Sequence, residues 1–312
     1  MIMAVHEAAA REFDTQRDFL WGLCYRMTGS TADADALVQE TFVRVLERPA
    51  ADLADGWRPW LARVAAALSM DALRLRQRRE YAGPWLPAPA ETGDAASGIA
   101  APHADLDRSY DDVESLTFQF LLAAEMLTPR QRAVLVLRAV YRYSVADAAQ
   151  ALDLTYATVR STLQQAFHGM DGYEAVRARP TRDAQSRMAA LLHDLLTRLQ
   201  RYDTAGVESM LAPSARALSD GGGEFVAPAA PVIGRDKIVR LLMKLADRRG
   251  PPTRDSFRML NGLPALVAEV AAPAGWAQRF VFRIDVDADG RVSDLHTILA
   301  TRKLTAVRFE PT

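Results

Sequence analysis

Arginine supplies most of the chemistry in the first third of this chain. Arg74, Arg76, Arg78 and Arg79 cluster near the end of a segment with helical periodicity, and Arg63, Trp57 and Trp60 precede them. Guanidinium groups pair with phosphate oxygens, and binding that rests on several such pairs weakens as salt rises. Tryptophan rings can stack on exposed bases. Just upstream, Asp33, Asp35, Gln39, Glu40 and Arg44 surround an apolar stripe of Val38, Phe42 and Val45. That arrangement presents a polar, partly acidic surface to a protein partner. A third group, Thr155, Tyr156, Thr158, Arg160, Ser161 and Gln164, carries donors and acceptors of the kind that read base edges. The best acid/base pair is Asp294 with His296, two residues apart in a strand and so expected on one face with Val292 and Ile298.

Helices must position the first three groups. Phe19, Leu20, Leu23 and Met27 recur at helical spacing before Gly29-Ser30-Thr31 breaks the pattern. Ser30 or Thr31 can cap the next helix, with Asp33 and Asp35 in its electropositive first turn and Pro49 at its end. Leu61, Val64, Leu68 and Leu75 continue the period in the following segment. Residues 82–112, rich in proline, glycine, alanine and acids, read as a linker. Thr128 with Pro129 starts a further helix, Ser144 caps the next, and Thr155 caps the last after a turn at Asp153-Leu154. Val159, Leu163 and Phe167 then face inward, which leaves the base-reading side chains outside as in a helix-turn-helix. Arg130, Arg132, Arg138 and Arg142 are expected to add phosphate contacts.

Beyond about residue 184 the pattern changes class. Helices are predicted over 184–202 and 236–247. Asn261-Gly262 and Asp289-Gly290 mark hairpins, and Phe280, Phe282, Ile284 and Val286 alternate with Val281, Arg283 and Asp285 as one apolar strand face. Ser219-Asp220-Gly221-Gly222-Gly223 lacks the Gly-Lys-Ser/Thr ending of a phosphate loop, so its glycines are expected to permit an unusual backbone path.

The 312 residues carry 38 basic and 39 acidic side chains, so net charge does not steer the free chain to nucleic acid. Distribution does more: residues 57–81 hold six arginines against two acids, while 83–115 hold seven acids against one arginine. Cys24 is the only cysteine, which excludes an intrachain disulfide and a cysteine-based zinc site. No signal peptide or membrane-spanning run is visible, so the expected location is cytoplasmic, with no membrane partner, no cofactor and no metal.

Residues 33–80, DADALVQETFVRVLER followed by RPWLARVAAALSMDALRLRQRRE, resemble the second conserved region of extracytoplasmic function sigma factors. The resemblance implies that Asp33, Asp35, Gln39, Glu40 and Arg44 grip core RNA polymerase. It implies that the loop from about Asp52 to Trp60 and the next helix, with Trp57, Trp60, Arg63, Arg74, Arg76, Arg78 and Arg79, recognise and open the downstream promoter element. LTPRQRAVLVLRAVYRYSVADAAQALDLTYATVRSTLQQAF resembles the fourth region of the same family, which implies upstream-element binding through Thr155, Tyr156, Thr158, Arg160, Ser161 and Gln164. Asp153 stands where that family often has glycine, and the last helix lacks the usual arginine-rich tail. Tyr81-Ala82-Gly83-Pro84-Trp85-Leu86-Pro87 resembles the linker start of members with an extra C-terminal domain. Residues 184–302 resemble that domain, a SnoaL-like α+β cone shared with polyketide cyclases and ketosteroid isomerases, whose closing motif survives here only as Lys303-Leu304.

The expectation is therefore a multidomain chain. Residues 11–81 form a region 2-like helical domain, 82–112 a linker, 113–172 a region 4-like helix-turn-helix domain, and 184–312 a SnoaL-like α+β domain. The implied partners are core RNA polymerase, promoter DNA and a small-molecule or protein regulator at the C-terminal domain. Asp294 and His296 are the candidate pocket residues. The chain is expected not to be an enzyme. Two alternatives stay open: a polymerase-binding regulator with degenerate upstream recognition, and an isomerase- or cyclase-type enzyme that uses the C-terminal pocket.

Overall fold

The computed structural model describes residues 2–47, 56–78, 81–91, 108–177 and 179–309. The chain divides into two compact units, each built from two separate stretches: Met1–Glu80 with Gly98–Ala175, and Tyr81–Ser97 with Val176–Thr312.

The first unit is helical. α1 (Ile2–Thr28), α2 (Thr31–Glu47) and α3 (Trp57–Arg78) pack together. Leu20, Leu23, Cys24 and Met27 of α1, Ala34, Val38 and Phe42 of α2, and Leu61, Leu68 and Leu73 of α3 are buried. Leu75, expected inward, is exposed, and Leu73 packs inside instead. Gly29 sits at φ 65°, the left-handed conformation that closes a helix and that glycine adopts without steric cost. The Ser30 hydroxyl then accepts from the Asp33 amide at 3.2 Å and caps α2. Pro49 lies outside the described residues.

The second half of this unit holds α4 (Phe118–Ala124), α5 (Pro129–Leu135), α6 (Val145–Leu152), α7 (Tyr156–Gly169) and the short α8 (Asp171–Glu174). The cap signals work as their residue types dictate. Thr128 and Gln131 form a reciprocal capping box with Pro129 in the first turn, and Ser144 and Asp147 form another. The Thr155 side chain accepts from the Thr158 amide. Between α6 and α7, Asp153 closes the turn at φ 52° and ψ 52°. Aspartate is one of the few non-glycine residues that visits this region routinely. A π-type turn over Val136–Val140 extends α5 and buries all five of its residues.

The second unit is α+β. α9 (Arg182–Gln200), α10 (Thr204–Met210) and α11 (Arg235–Arg249) cover one face of a six-stranded sheet. The strands are β1 (Leu211–Asp220), β2 (Val232–Ile233), β3 (Arg254–Leu260), β4 (Leu263–Glu269), β5 (Arg279–Val286) and β6 (Val292–Ile298). The order is β2-β1-β6-β5-β4-β3, with β1 and β6 parallel and every other pair antiparallel. Leu192 and Leu195 of α9 and Ile238 of α11 meet Leu266, Phe282, Ile284 and Leu295 in the core. Both residues of the Asn261-Gly262 turn have positive φ, which matches the strand twist and pins Leu260 opposite Leu263. The loop at Asp289-Gly290 joins β5 to β6, with Gly290 at φ 75°.

β1 departs from the sequence expectation, which placed strands only after residue 247. Its LAPSARALSD sequence is alanine-rich, and Pro213 lies where the pairing with β6 shifts register between Leu211 and Arg216. Proline cannot donate to a ladder, and a register irregularity accommodates it.

Candidate functional site

α2 presents Asp33, Asp35, Gln39, Glu40 and Arg44 on its exposed face, opposite buried Ala34, Val38, Thr41 and Phe42. Trp21 donates its indole N–H to the Asp35 carboxylate at 2.9 Å, and Arg44 pairs with Glu40 at 3.1 Å one turn away. Most of this face is left with carboxylate and amide oxygens for a partner.

α3 divides its predicted nucleic-acid residues. Arg63, Arg74 and Arg78 are exposed, and Arg74 makes only a surface pair with Asp71 at 2.7 Å. Trp57 and Trp60 are half-buried at the start of the helix, and Arg58 lies over the Phe19 ring at 4.1 Å. Arg76 turns inward: it donates to the Thr28 carbonyl at 2.5 Å and to the Glu125 carboxylate at 2.5 Å. Arg79 and the loop residues from Asp52 to Asp55 lie outside the described residues.

Glu125 is shared. Its second carboxylate oxygen takes the guanidinium of Arg132, which is buried and also donates through Nε to the Arg26 carbonyl at 2.9 Å. Burial lowers the pKa of Arg132, and Glu125 opposes that shift. Arg26 in turn donates to Ser115 and Tyr141, at 2.8 Å and 2.9 Å, and to Asp112. These polar residues tie α1 and α3 to the segment that leads into the helix-turn-helix. Nothing in their spacing announces them, because the partners lie up to 115 positions apart.

In the helix-turn-helix, Val159, Thr162, Leu163 and Ala166 face the core, and Phe167 is half-buried beneath Arg108. Thr155, Tyr156, Arg160, Ser161 and Gln164 are exposed and Thr158 is half-exposed, so the six predicted residues share the outward face of α7. Tyr156 is 62% exposed. The four arginines expected to add phosphate contacts do not all face outward. Arg132 and Arg138 are buried, Arg132 on Glu125 and Arg138 on the Tyr143 carbonyl, so neither reaches a phosphate. Arg130 is exposed and Arg142 half-buried.

In the α+β unit three sequence pieces converge on one carboxylate. Buried Asp220 accepts from the Tyr81 hydroxyl at 2.5 Å, the Leu86 amide at 2.8 Å, the Gly222 amide at 3.1 Å and the Lys303 ammonium at 2.5 Å. Lys303 also donates to the Leu86 carbonyl and lies over the Trp85 ring at 4.2 Å. Gly222 and Gly223 have positive φ, and a Cβ on Gly222 would stand 2.8 Å from the Ala300 side chain. The chain continues extended, with Leu86, Ala88 and Ala90 buried, until Ala90 and Asn261 exchange hydrogen bonds. Part of the stretch expected as linker is thus held as an added layer of this unit. The Asp220-triglycine signal was in the sequence, but its partners Tyr81 and Lys303 could be joined to it only in three dimensions.

Asp294 and His296 lie on the sheet face turned away from the apolar core. His296 is buried opposite Arg283, its Nδ1 3.5 Å from Asp285, while Asp294 takes Arg216 at 2.6 Å. Val292 does not share that face: a register shift at Asp285/Val286 turns it into the core beside Leu295. Neither Asp294 nor His296 lines the apolar cleft between the helices and the sheet. Among the described residues no group of three or more His, Cys, Asp or Glu side chains could hold a metal ion, and no helix is long and apolar enough to cross a membrane.

Residues 13–79 match the family described as Sigma-70 region 2, and residues 117–167 match Sigma-70, region 4. The ECF RNA polymerase sigma factor SigJ of Mycobacterium tuberculosis is 32% identical over 246 residues, covering 77% of this chain and 74% of that protein. The probable ECF RNA polymerase sigma factor SigI of the same organism is 26% identical over 321 residues, 99% of each chain. The crystal structure of Mycobacterium tuberculosis SigJ superposes with a TM-score of 0.71 at 25% identity, covering 96% of this chain and 100% of that one. With the two sigma regions in order, and with likeness to SigJ running on through the α+β unit, this chain belongs to the extracytoplasmic function family of RNA polymerase sigma factors.

Proposed function

We infer that the chain directs bacterial RNA polymerase to specific promoters from the cytoplasm, acting by binding and not by turnover, with its α+β unit as a fused regulatory domain. The observation that carries this reading is the ordered pair of sigma regions, each with a set of polar side chains exposed: Asp33, Asp35, Gln39, Glu40, Arg44, Arg63, Arg74 and Arg78 in the first, and Thr155, Tyr156, Arg160, Ser161 and Gln164 in the second. The acidic face of α2, with Asp33, Asp35, Gln39, Glu40 and Arg44, docks on core polymerase. Trp57, Trp60, Arg63, Arg74 and Arg78 address the downstream element. The exposed face of α7 addresses the upstream element.

The energetics fit a subunit that works inside a larger complex. Unstacking a base costs a few kcal/mol, and aromatic stacking returns about 1–3 kcal/mol per base. Two tryptophans cannot open a duplex alone, and a formal charge of −1 gives the free chain little counterion release. Polymerase must supply the rest. Elements some 25 base pairs apart are separated by roughly 85 Å of duplex. A compact unit of this size is about 40 Å across. The two helical modules must therefore part on the promoter, and the contacts that break are those that cross between them: Arg76 with Glu125, Arg132 with the Arg26 carbonyl, and Arg26 with Ser115 and Tyr141.

Purified core polymerase, the full chain and a genomic-fragment library test the reading. Start sites should appear only when the chain is added. The variant Arg63→Glu/Arg74→Glu/Arg78→Glu should keep polymerase binding and lose promoter opening. Unchanged opening would remove α3 from the mechanism.

One observation favours a second reading, a polymerase-bound regulator with reduced upstream contact. Arg160 is the sole Lys or Arg in α7, and Arg132 and Arg138 are buried. A footprint confined to the downstream element would select it.

A further inference from the structure

The α+β unit contains a cleft of about 370 Å³ between α9, α11 and the sheet, within the size range of small-molecule sites. Its walls are largely apolar, with Leu242, Leu266, Phe280 and Phe282 among them. One cation stands in this lining. Arg249, the last residue of α11, is half-buried, and its guanidinium carbon lies 5.3 Å from the Trp276 ring centroid and 5.4 Å from that of Phe280. Two rings hold the guanidinium against their faces, which leaves its in-plane N–H groups to find acceptors. Its Nε is buried and has no hydrogen-bond partner. No described carboxylate pairs with it. Asp255, the acid in the lining, is exposed. Burial alone pushes the Arg249 pKa down, with no acid opposing it.

A buried donor of a charged group without an acceptor costs about 1–3 kcal/mol or more. Arginine at this position is therefore unfavourable for packing and favourable for capturing an anion. We propose that the cleft binds a small apolar carboxylate, its hydrocarbon body against Leu242, Leu266 and Phe282 and its carboxylate on Arg249. The volume holds about a dozen water-sized groups, the size of a medium-chain fatty acid. This site is separate from Asp294 and His296, and binding there does not depend on promoter recognition.

Calorimetric titration of the full chain with decanoate and with its uncharged counterpart decanol tests the assignment. Decanoate should bind roughly tenfold or more tightly than decanol, the ratio expected of one charge-assisted hydrogen bond. Arg249→Met should lower decanoate affinity to that of decanol while decanol binding persists, which also shows that the cleft is intact. Leu242→Trp should abolish both. Equal affinity for the two probes in the parent chain, no binding of either, or undiminished decanoate binding by Arg249→Met would each overturn the proposal.

Discussion

At the scale of single residues, the buried polar groups of the sheet set a pH dependence. Burial pushes the His296 imidazole down to about 3, and the nearby Arg283 guanidinium adds to the shift. An unfolded histidine titrates near 6.5. Between those values the unfolded chain binds a proton that the folded chain refuses, so this residue makes stability fall as pH drops from about 6.5 toward 3. Asp285 acts in the opposite sense: burial raises its carboxyl, and its contribution is lost as pH rises through the folded value. His296→Gln should flatten the stability curve of the full chain between about pH 4 and 6.5, as read by urea unfolding, and curves parallel to the parent would refute the assignment. The sequence pointed to His296 as a polar residue on a strand. It could not say which side of the sheet carried the cleft, because one register shift beside Val286 decides where Val292 and its neighbours point. Arg132 and Arg138 were misread for a similar reason. A guanidinium looks the same in sequence whether it meets a phosphate or a buried carboxylate, and Glu125 lies in a segment with no distinguishing pattern.

Local signals determine the elements and long-range partners determine their use. The caps at Thr128, Ser144 and Thr155 and the Asn261-Gly262 turn were legible because each rests on side chains within three residues of the backbone it serves. β1 was not, since its alanines lack β propensity and its pairing with β6 spans 78 residues from Arg216 to Asp294. The segment of residues 81–91 shows the same division. Its prolines and glycine mark it as non-helical, but only Asp220 and Lys303 give it a fixed course. Removing one member of a buried ion pair costs about 3–5 kcal/mol because the other charge stays buried. Lys303→Met should destabilise the α+β unit by that amount, and Asp220→Asn in the same chain should recover much of the loss. Guanidinium unfolding of both variants measures the difference, and a single variant within about 0.5 kcal/mol of the parent would show that the pair is dispensable.

At the scale of the molecule, the covalent order and the spatial units do not coincide. The chain leaves the helical unit after Glu80, contributes Tyr81–Ser97 to the α+β unit, returns, and crosses again after Ala175. A chain ending at Ala175 keeps every helix of the first unit but strips residues 81–91 of Asp220, Asn261 and Lys303. It should unfold cooperatively by circular dichroism, and chymotrypsin should cut it at Tyr81, Trp85 or Leu86, sites protected in the full chain. Protection in the shortened chain would mean that the helical unit alone orders the segment.

The contact between Leu86 and Lys303 spans 217 positions, and that distance is also a delay. A ribosome adding about 5–20 residues each second needs roughly 10–40 seconds to travel between them. Throughout that interval the stretch that resembles sigma region 2 has already been synthesised, while the lysine that fixes the segment beyond it has yet to be made. The restraint thus comes late: a nascent chain lacks the Lys303 contacts of residues 81–91 for that interval, and a chain terminated before Lys303 never acquires them.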